Sequence, residues 1–270
     1  MGLETGWDPA TPRNDTVLRT AVLGHADAFE HVVLSRGGSI ERHHGLSLAD
    51  SGSPSFFFNT AFVLQPPGEG GFGPILDRVE RFFAARPGGG VLFLSPWPFP
   101  PLTRPQWELL GHPPIMFRPA GTAGPAALPT DVRIDEVADD ELLSAFEAVL
   151  VNGFPMVELQ PPFPGSVLDG RLLDSGRFHC WVASVERRPV AASAAYFADD
   201  LVLVTWVATL EEFRGRGYGA AVTWAAVREA PRLPAALLAS DLGRPVYQRL
   251  GFLPLIRLTA LHLKERVSAS

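Results

Sequence analysis

The chain has 270 residues, 46% of them hydrophobic, which is enough for one large domain or two ordinary ones with a proper core. Its 23 basic and 29 acidic residues give a net charge of −6 without a long run of one sign. That balance argues against a generic nucleic-acid binder and leaves room for a local basic pocket. One cysteine, Cys180, excludes an internal disulfide and any cysteine-cluster metal site, so no metal is expected.

No stretch of eighteen apolar residues occurs, so no membrane span is expected. The start, Met1-Gly-Leu-Glu-Thr-Gly6, lacks the basic flank and apolar run of a secretory signal. Gly2 could be thought of for myristoylation, but position 6 is glycine where serine or threonine is wanted. A cytoplasmic location in a reducing compartment is the expectation.

In chain order, residues 1 to 18 are polar and expected to be loosely held. A short helix is expected over 26 to 33, a turn at Asp50 to Pro54, and a strand over Phe56 to Leu64. Pro66 to Gly73 reads as a loop before a helix from Pro74 to Arg86, since proline suits the first helical position. Val91 to Leu94 reads as a buried strand, Ser95 to Arg104 as a proline-punctuated connection, Pro105 to Leu110 as a short helix, and Ile115 to Phe117 as a strand. Pro119 to Pro129 is small, proline-rich and uncharged, the best candidate linker. The expected division is therefore an amino-terminal domain over 1–118, a linker over 119–129 and a second domain over 130–270.

The second half begins with a strand, Val132 to Val137, and a helix, Asp139 to Val151, whose acids sit in its first turn where the helix dipole favours them. A loop rich in proline and aromatic residues runs from Asn152 to Pro164, and a second helix is expected from Pro164 to Leu173. Strands at Phe178 to Val185 and Val190 to Phe197 make a hairpin, followed by a strand over Leu201 to Thr209. Then comes Arg214-Gly-Arg-Gly-Tyr-Gly219, an alanine-rich helix over 220 to 229, an apolar run at Ala235 to Ala239, a helix, and one final strand over Leu255 to Leu263. Strand, glycines and helix start together make an anion site. Bare N–H groups at a helix N-terminus carry partial positive charge, glycine lets a ligand approach the backbone, and Arg214 and Arg216 add two full charges. A doubly phosphorylated ligand suits it.

Two motifs carry a resemblance. Arg214, Gly217 and Gly219 meet the pattern Arg/Gln-x-x-Gly-x-Gly/Ala, and Tyr247, Leu250, Gly251 and Phe252 meet Tyr-x-x-Leu-Gly-Phe. In that order they resemble the GCN5-related N-acetyltransferase (GNAT) superfamily over residues 130 to 265. The resemblance implies an α/β (α+β) fold, a mixed, mostly antiparallel sheet flanked by helices, in which two central strands splay apart around the pantetheine arm of acetyl-CoA. Trp107-Glu-Leu-Leu-Gly-His-Pro-Pro-Ile-Met116 also echoes Tyr247 to Ile256, and the glycines around 71 to 73 echo the loop, at an offset near half the chain. A tandem of two copies is expected, the first degenerate. Gly68 would stand where Arg214 stands and Trp107 where Tyr247 stands, so that copy is expected to bind no coenzyme.

The implied reaction is transfer of an acetyl group from acetyl-CoA to a primary amine, and four tasks follow. The amides of Gly215, Arg216, Gly217, Tyr218, Gly219 and Ala220, with Arg214, would hold the pyrophosphate. Val207, Ala208 and Thr209 would offer the strand edge for the pantetheine. Ser240, seven residues before Tyr247, stands where the family often has an asparagine reaching the arm; a helix-cap or turn role remains open. Glu158, His179 and Glu212 are candidate bases, with Glu158 favoured because its apolar loop would bury it. Tyr247 occupies the family's general-acid position. The partners implied are a small-molecule or peptide amine, with no nucleic acid and no membrane. A homodimer stays open, although two fused copies could replace one. The alternative functions are a non-catalytic coenzyme A-binding regulatory module and a structural protein with a vestigial loop.

Overall fold

A computed structural model of the chain describes residues 7, 11–43, 45–86, 88–154 and 156–264. Gly2, most of the polar start and Pro155 lie outside the described residues. In chain order the elements are α1 (Val17–Ser35), β1 (Ser39–His43), β2 (Leu46–Asp50), β3 (Asn59–Val63), α2 (Gly73–Ala84), β4 (Val91–Ser95), β5 (Trp107–Gly111), β6 (Pro114–Arg118), β7 (Arg133–Glu136), α3 (Asp140–Gly153) and α4 (Arg171–Asp174). They continue with β8 (Phe178–Val185), β9 (Arg188–Phe197), β10 (Val202–Thr209), α5 (Tyr218–Glu229), β11 (Ala235–Leu238), α6 (Arg244–Arg249), β12 (Leu253–Arg257) and β13 (Thr259–Leu263).

These elements form two compact units, residues 1–113 with 256–270 and residues 114–255. The first unit holds a six-stranded sheet in the order β1-β2-β3-β4-β13-β5. Its core sets Leu76, Val79 and Phe83 of α2 against Ala61, Val63, Phe93 and Leu261 of the strands. Helix α1 is capped where the Thr16 hydroxyl accepts from the Arg19 N–H at 3.1 Å and starts at Val17, nine residues before the expected start at 26.

The second unit holds a seven-stranded sheet in the order β12-β6-β11-β10-β9-β8-β7. Helix α3, capped by the Asp139 carboxylate accepting from the Leu142 N–H at 2.8 Å, packs on β8, β9 and β10. Helix α5 also packs on these three strands, burying Ala221, Val222, Ala225 and Ala226. The β8–β9 hairpin turns through Glu186 and Arg187, both with positive φ (49° and 65°), the backbone of a two-residue turn matched to strand twist.

The strand orders reveal one topology used twice. β3, α2, β4, β5 and β6 begin at residues 59, 73, 91, 107 and 114; β10, α5, β11, β12 and β13 begin at 202, 218, 235, 253 and 259. In each sheet the last strand of one repeat lies between two strands of the other: β13 between β4 and β5, and β6 between β11 and β12. The contiguous division into 1–118, 119–129 and 130–270 therefore does not follow the sheets. A strand is placed by the edge it pairs with, and such pairing ignores its place in the chain.

Other expectations are corrected. Pro105 to Leu110 is not a helix: Trp107–Gly111 is β5, paired antiparallel with β13. This shifts the repeat by several residues, so Trp107 opens a strand equivalent to β12 and does not replace Tyr247. No helix lies between β4 and β5, where prolines 96, 98, 100, 101 and 105 interrupt the chain. The helix expected over 164 to 173 shrinks to the four residues of α4. Phe56–Phe58 is a 3₁₀ turn and the strand begins at Asn59. The final strand expected over 255 to 263 is two strands, in different sheets. Strands β1 and β2 were not expected; β1 is a largely exposed edge strand without an apolar run.

Candidate active site

The site forms where β10 parts from β11. The two run parallel through only three pairs, Val202 with Ala235, Leu203 with Ala236 and Val204 with Leu237, while β10 continues to Thr209. Beyond Val204 β10 forms no further pair with β11 among the described residues, while Thr205, Ala208 and Thr209 keep β9 on the other side. The divergence is built into β10 by a bulge between Thr205 and Ala208, where Trp206 takes a φ of 50°. A left-handed backbone at a bulky residue is strained and persists where its surroundings enforce it. The Trp206 ring packs 5.4 Å from Phe178. The expected pantetheine edge, Val207, Ala208 and Thr209, lies in the part of this strand that has left β11.

The glycine loop follows directly. Gly215 (φ 78°) and Gly217 (φ 86°) adopt backbone that favours glycine, and Gly217 ends the loop as N-cap of α5 with no side-chain cap. The first amide after Arg214 to meet a backbone acceptor is Ala221, which donates to Gly217 O at 3.0 Å. Among the described residues the amides of Gly215, Arg216, Gly217, Tyr218, Gly219 and Ala220 meet no acceptor. Six donors are thus left at the positive end of a twelve-residue helix. A Cβ on Gly219 would lie 3.1 Å from Thr209 Oγ1, so the helix start sits against the end of the splayed strand. Loop and edge, both expected in the coenzyme site, therefore lie side by side.

Arg214 ties this corner together. Its Nε donates to Thr209 O at 3.2 Å and its Nη2 to Gly153 O at 2.9 Å, while the side chain stays exposed. Arg216 donates to Glu212 O at 3.2 Å and lies 5.3 Å from the Phe213 ring centroid. Tyr218 contributes its amide, but its side chain is buried and structural: the hydroxyl donates to Asp131 Oδ2 at 2.7 Å, and that hydrogen bond, with burial, raises the phenol. Asp131 and Pro129, whose Cγ would lie 3.1 Å from a Cβ on Gly217, support the loop from the end of the linker. Neither residue type nor spacing marks them in the sequence.

Tyr247 lies on α6, is 8% exposed, and packs edge-on to Phe252 at 6.1 Å in the cluster that includes Val204, Leu237 and Ala239. Burial pushes its phenol well above the usual tyrosine range. Its hydroxyl has no hydrogen-bond partner among the described residues. Ser240 serves the turn into α6: its hydroxyl accepts from the Gly243 N–H at 3.0 Å. A Cβ on Gly243 would approach Tyr247 Cε2 at 2.9 Å and Ser240 Oγ at 3.2 Å, so the three residues are neighbours and position 243 needs glycine for space.

The candidate bases separate clearly. His179 Nδ1 is 2.6 Å from Glu136 Oε1, and its ring stacks on Trp181. Glu212 pairs with Arg188, and its carboxyl is held below the usual range chiefly by a backbone hydrogen bond. Glu158 makes no hydrogen bond or ion pair among the described residues, but it stands exposed on a 3₁₀ turn, Val157–Leu159, so the burial expected for it is not found. Another carboxylate is buried instead. Glu147 on α3 is 1% exposed and accepts from the amides of Gly165, Val167 and Leu168 at 2.8, 2.7 and 2.9 Å, which pins the loop ahead of α4. Among the described residues no cluster of three or more histidine, cysteine or acidic side chains could hold a metal, and no helix is long and apolar enough to cross a membrane.

The description of a GNAT acetyltransferase domain matches residues 126–248, which span the loop, the splayed strand and most of α6. A GCN5-related N-acetyltransferase from Kribbella flavida superposes with a TM-score of 0.64 at 19% identity, covering 91% of this chain and 96% of its own. A conserved protein of unknown function from Staphylococcus epidermidis gives 0.55 at 14%, covering 84% and 95%. A GCN5-related N-acetyltransferase-like protein from Streptococcus suis gives 0.51 at 12%, covering 91% and 99%. At these identities the likeness establishes the fold. No curated protein matches the chain in sequence. Together with the uncapped glycine loop and the splayed strand, the domain match identifies a GNAT acetyltransferase domain over residues 126–248 of the chain.

Proposed function

We propose that this protein transfers an acetyl group from acetyl-CoA to a primary amine by direct attack on the thioester. The observation that carries the reading is the set of six amides, residues 215 to 220, that meet no acceptor among the described residues, at the start of α5 beside the stretch of β10 that has left β11. Two phosphate groups are the chemistry such donors suit, with Arg214 and Arg216 alongside. The pantetheine then adds to the edge at Val207 to Thr209 through main-chain hydrogen bonds, as an extra strand would.

The amine nitrogen attacks the thioester carbonyl carbon, a C–N bond forms, and the C–S bond breaks. An alkyl ammonium near pKa 10.4 must lose its proton first, at a cost of about 4.6 kcal/mol at neutral pH. Of the three candidate bases, Glu158 alone has no partner among the described residues, and being exposed it can drain that proton through water. The departing sulfur meets Tyr247. An ordinary tyrosine near 10 is already a weaker acid than a thiol near 8.5, and burial weakens Tyr247 further. Tyr247 therefore keeps its proton and donates a hydrogen bond to the developing thiolate, whose final proton comes from solvent or the nitrogen. The free hydroxyl suits that role.

The test is calorimetric titration with acetyl-CoA followed by an assay of coenzyme A release over a panel of primary amines. Binding with amine-dependent release supports the reading. Binding without release for any amine would leave a coenzyme-binding regulatory module, and absence of binding would refute both.

A further inference from the structure

Arg118 is the last residue of β6, 3% exposed, and its burial lowers the guanidinium from its ordinary value. Among the described residues it pairs with no carboxylate. A buried cation without a counter-ion is costly unless all its donors are well used. Here Nε donates to Leu250 O at 2.9 Å, Nη2 donates to Ala123 O at 3.1 Å and to Thr122 O, and the guanidinium lies 5.0 Å from the Trp224 ring centroid. Leu250 is the C-cap of α6, three residues after Tyr247, and both the Leu250 and Phe252 amides return to Tyr247 O at 3.0 Å. Gly251 (φ 86°) makes the turn within reach of Arg118: a Cβ there would be 3.6 Å from its Nε. One guanidinium thus fastens the end of the tyrosine-bearing helix, the face of α5 through Trp224, and the linker.

We propose that Arg118 is the positioning residue for Tyr247. By the repeat, β6 is the last strand of the amino-terminal copy, inserted between β11 and β12. The copy that lacks a basic pyrophosphate loop would then supply the group that orients the catalytic tyrosine of the other copy. Helix α6 has only six residues and cannot fix itself; its orientation depends on what holds its ends. The inference rests on the reading of Tyr247 as hydrogen-bond donor to the leaving thiolate.

The test is a double-mutant cycle of Arg118→Met with Tyr247→Phe, assayed by coenzyme A release. Alone, Arg118→Met is expected to lower kcat by about tenfold or more, as a misplaced catalytic group does, with the KM for acetyl-CoA changed by less than about twofold. In the Tyr247→Phe background the same substitution is expected to cost less than about twofold, because two residues acting through one interaction are not additive. Arg118→Lys, which keeps the charge and one donor, is expected to fall between. Equal losses in both backgrounds, or an unchanged kcat, would overturn the proposal. If Tyr247→Phe alone leaves turnover intact, the reading of Tyr247 fails instead, and the positioning is judged by hydrogen exchange. Peptides covering residues 244 to 252 should then exchange faster in Arg118→Met while those covering 214 to 221 do not; uniform or absent change overturns it.

Discussion

Replacing Tyr247 with phenylalanine separates chemistry from packing at one atom. The ring is 8% exposed and packs edge-on to Phe252 at 6.1 Å, contacts that phenylalanine keeps. The hydroxyl has no partner among the described residues, so its loss breaks no hydrogen bond within the chain. Folding stability at neutral pH should therefore change by no more than about 0.5 kcal/mol, the range of substitutions that disturb no specific feature. Turnover should fall by about tenfold or more, at least about 1.4 kcal/mol of transition-state stabilisation, with the KM for acetyl-CoA nearly unchanged. The pH dependence has a definite sign. Burial raises the folded phenol above its unfolded value near 10, so its contribution is fully present below pH 10 and is lost as pH rises through the folded value. Wild type and variant should match in stability below pH 10 and diverge above it. Thermal melts across pH, paired with coenzyme A release at saturating amine, measure both. An unchanged kcat would remove the hydroxyl from the mechanism, and a large fall in melting temperature at pH 7 would show that it was structural.

Three further outcomes follow from the same structure. His25 on α1 is buried, donates from Nδ1 to Ala21 O at 2.7 Å, and is pushed down to about 4 by burial. Its stabilisation, roughly 3 kcal/mol in the neutral form, is present above 6.5 and lost as pH falls toward 4, so His25→Leu should flatten the acid limb of a stability–pH curve. Gly217→Ala places a Cβ 3.1 Å from Pro129 Cγ at a φ of 86°, whereas Gly215→Ala meets only open space at a φ of 78°. Both should cost about 1 kcal/mol for the left-handed backbone, and titration with acetyl-CoA should show the larger loss of affinity for Gly217→Ala. Glu147→Gln turns one acceptor oxygen into a donor facing a backbone N–H, either Gly165 or the Val167–Leu168 pair. It should cost about 2 to 3 kcal/mol in denaturant unfolding and speed hydrogen exchange in residues 163 to 168.

The local signals in the sequence are those that local chemistry enforces. The Arg214 to Gly219 run sits after a β-branched strand and before alanines, and positive φ at 215 and 217 demands glycine, so the loop and α5 were legible. Asp139 announces α3, and Val202 to Thr209 carries its own β-propensity. The repeat, too, was visible in the echo around Trp107 and Tyr247, though several residues out of register because the helix that carries Tyr247 has no counterpart among the prolines of 96 to 105.

Tertiary structure alone decided which edges the strands joined. β6 and β13 lie within otherwise ordinary apolar runs, and nothing in either run says that each completes the other repeat's sheet; that depends on which unpaired edge is available once the sheets form. It likewise decided that Glu158 would be exposed and Glu147 buried, and that Asp131, Pro129 and Arg118 would brace the loop and the tyrosine helix. Arg118 and Leu250 are 132 positions apart, and a hydrogen bond over that separation leaves no periodicity for a sequence to display.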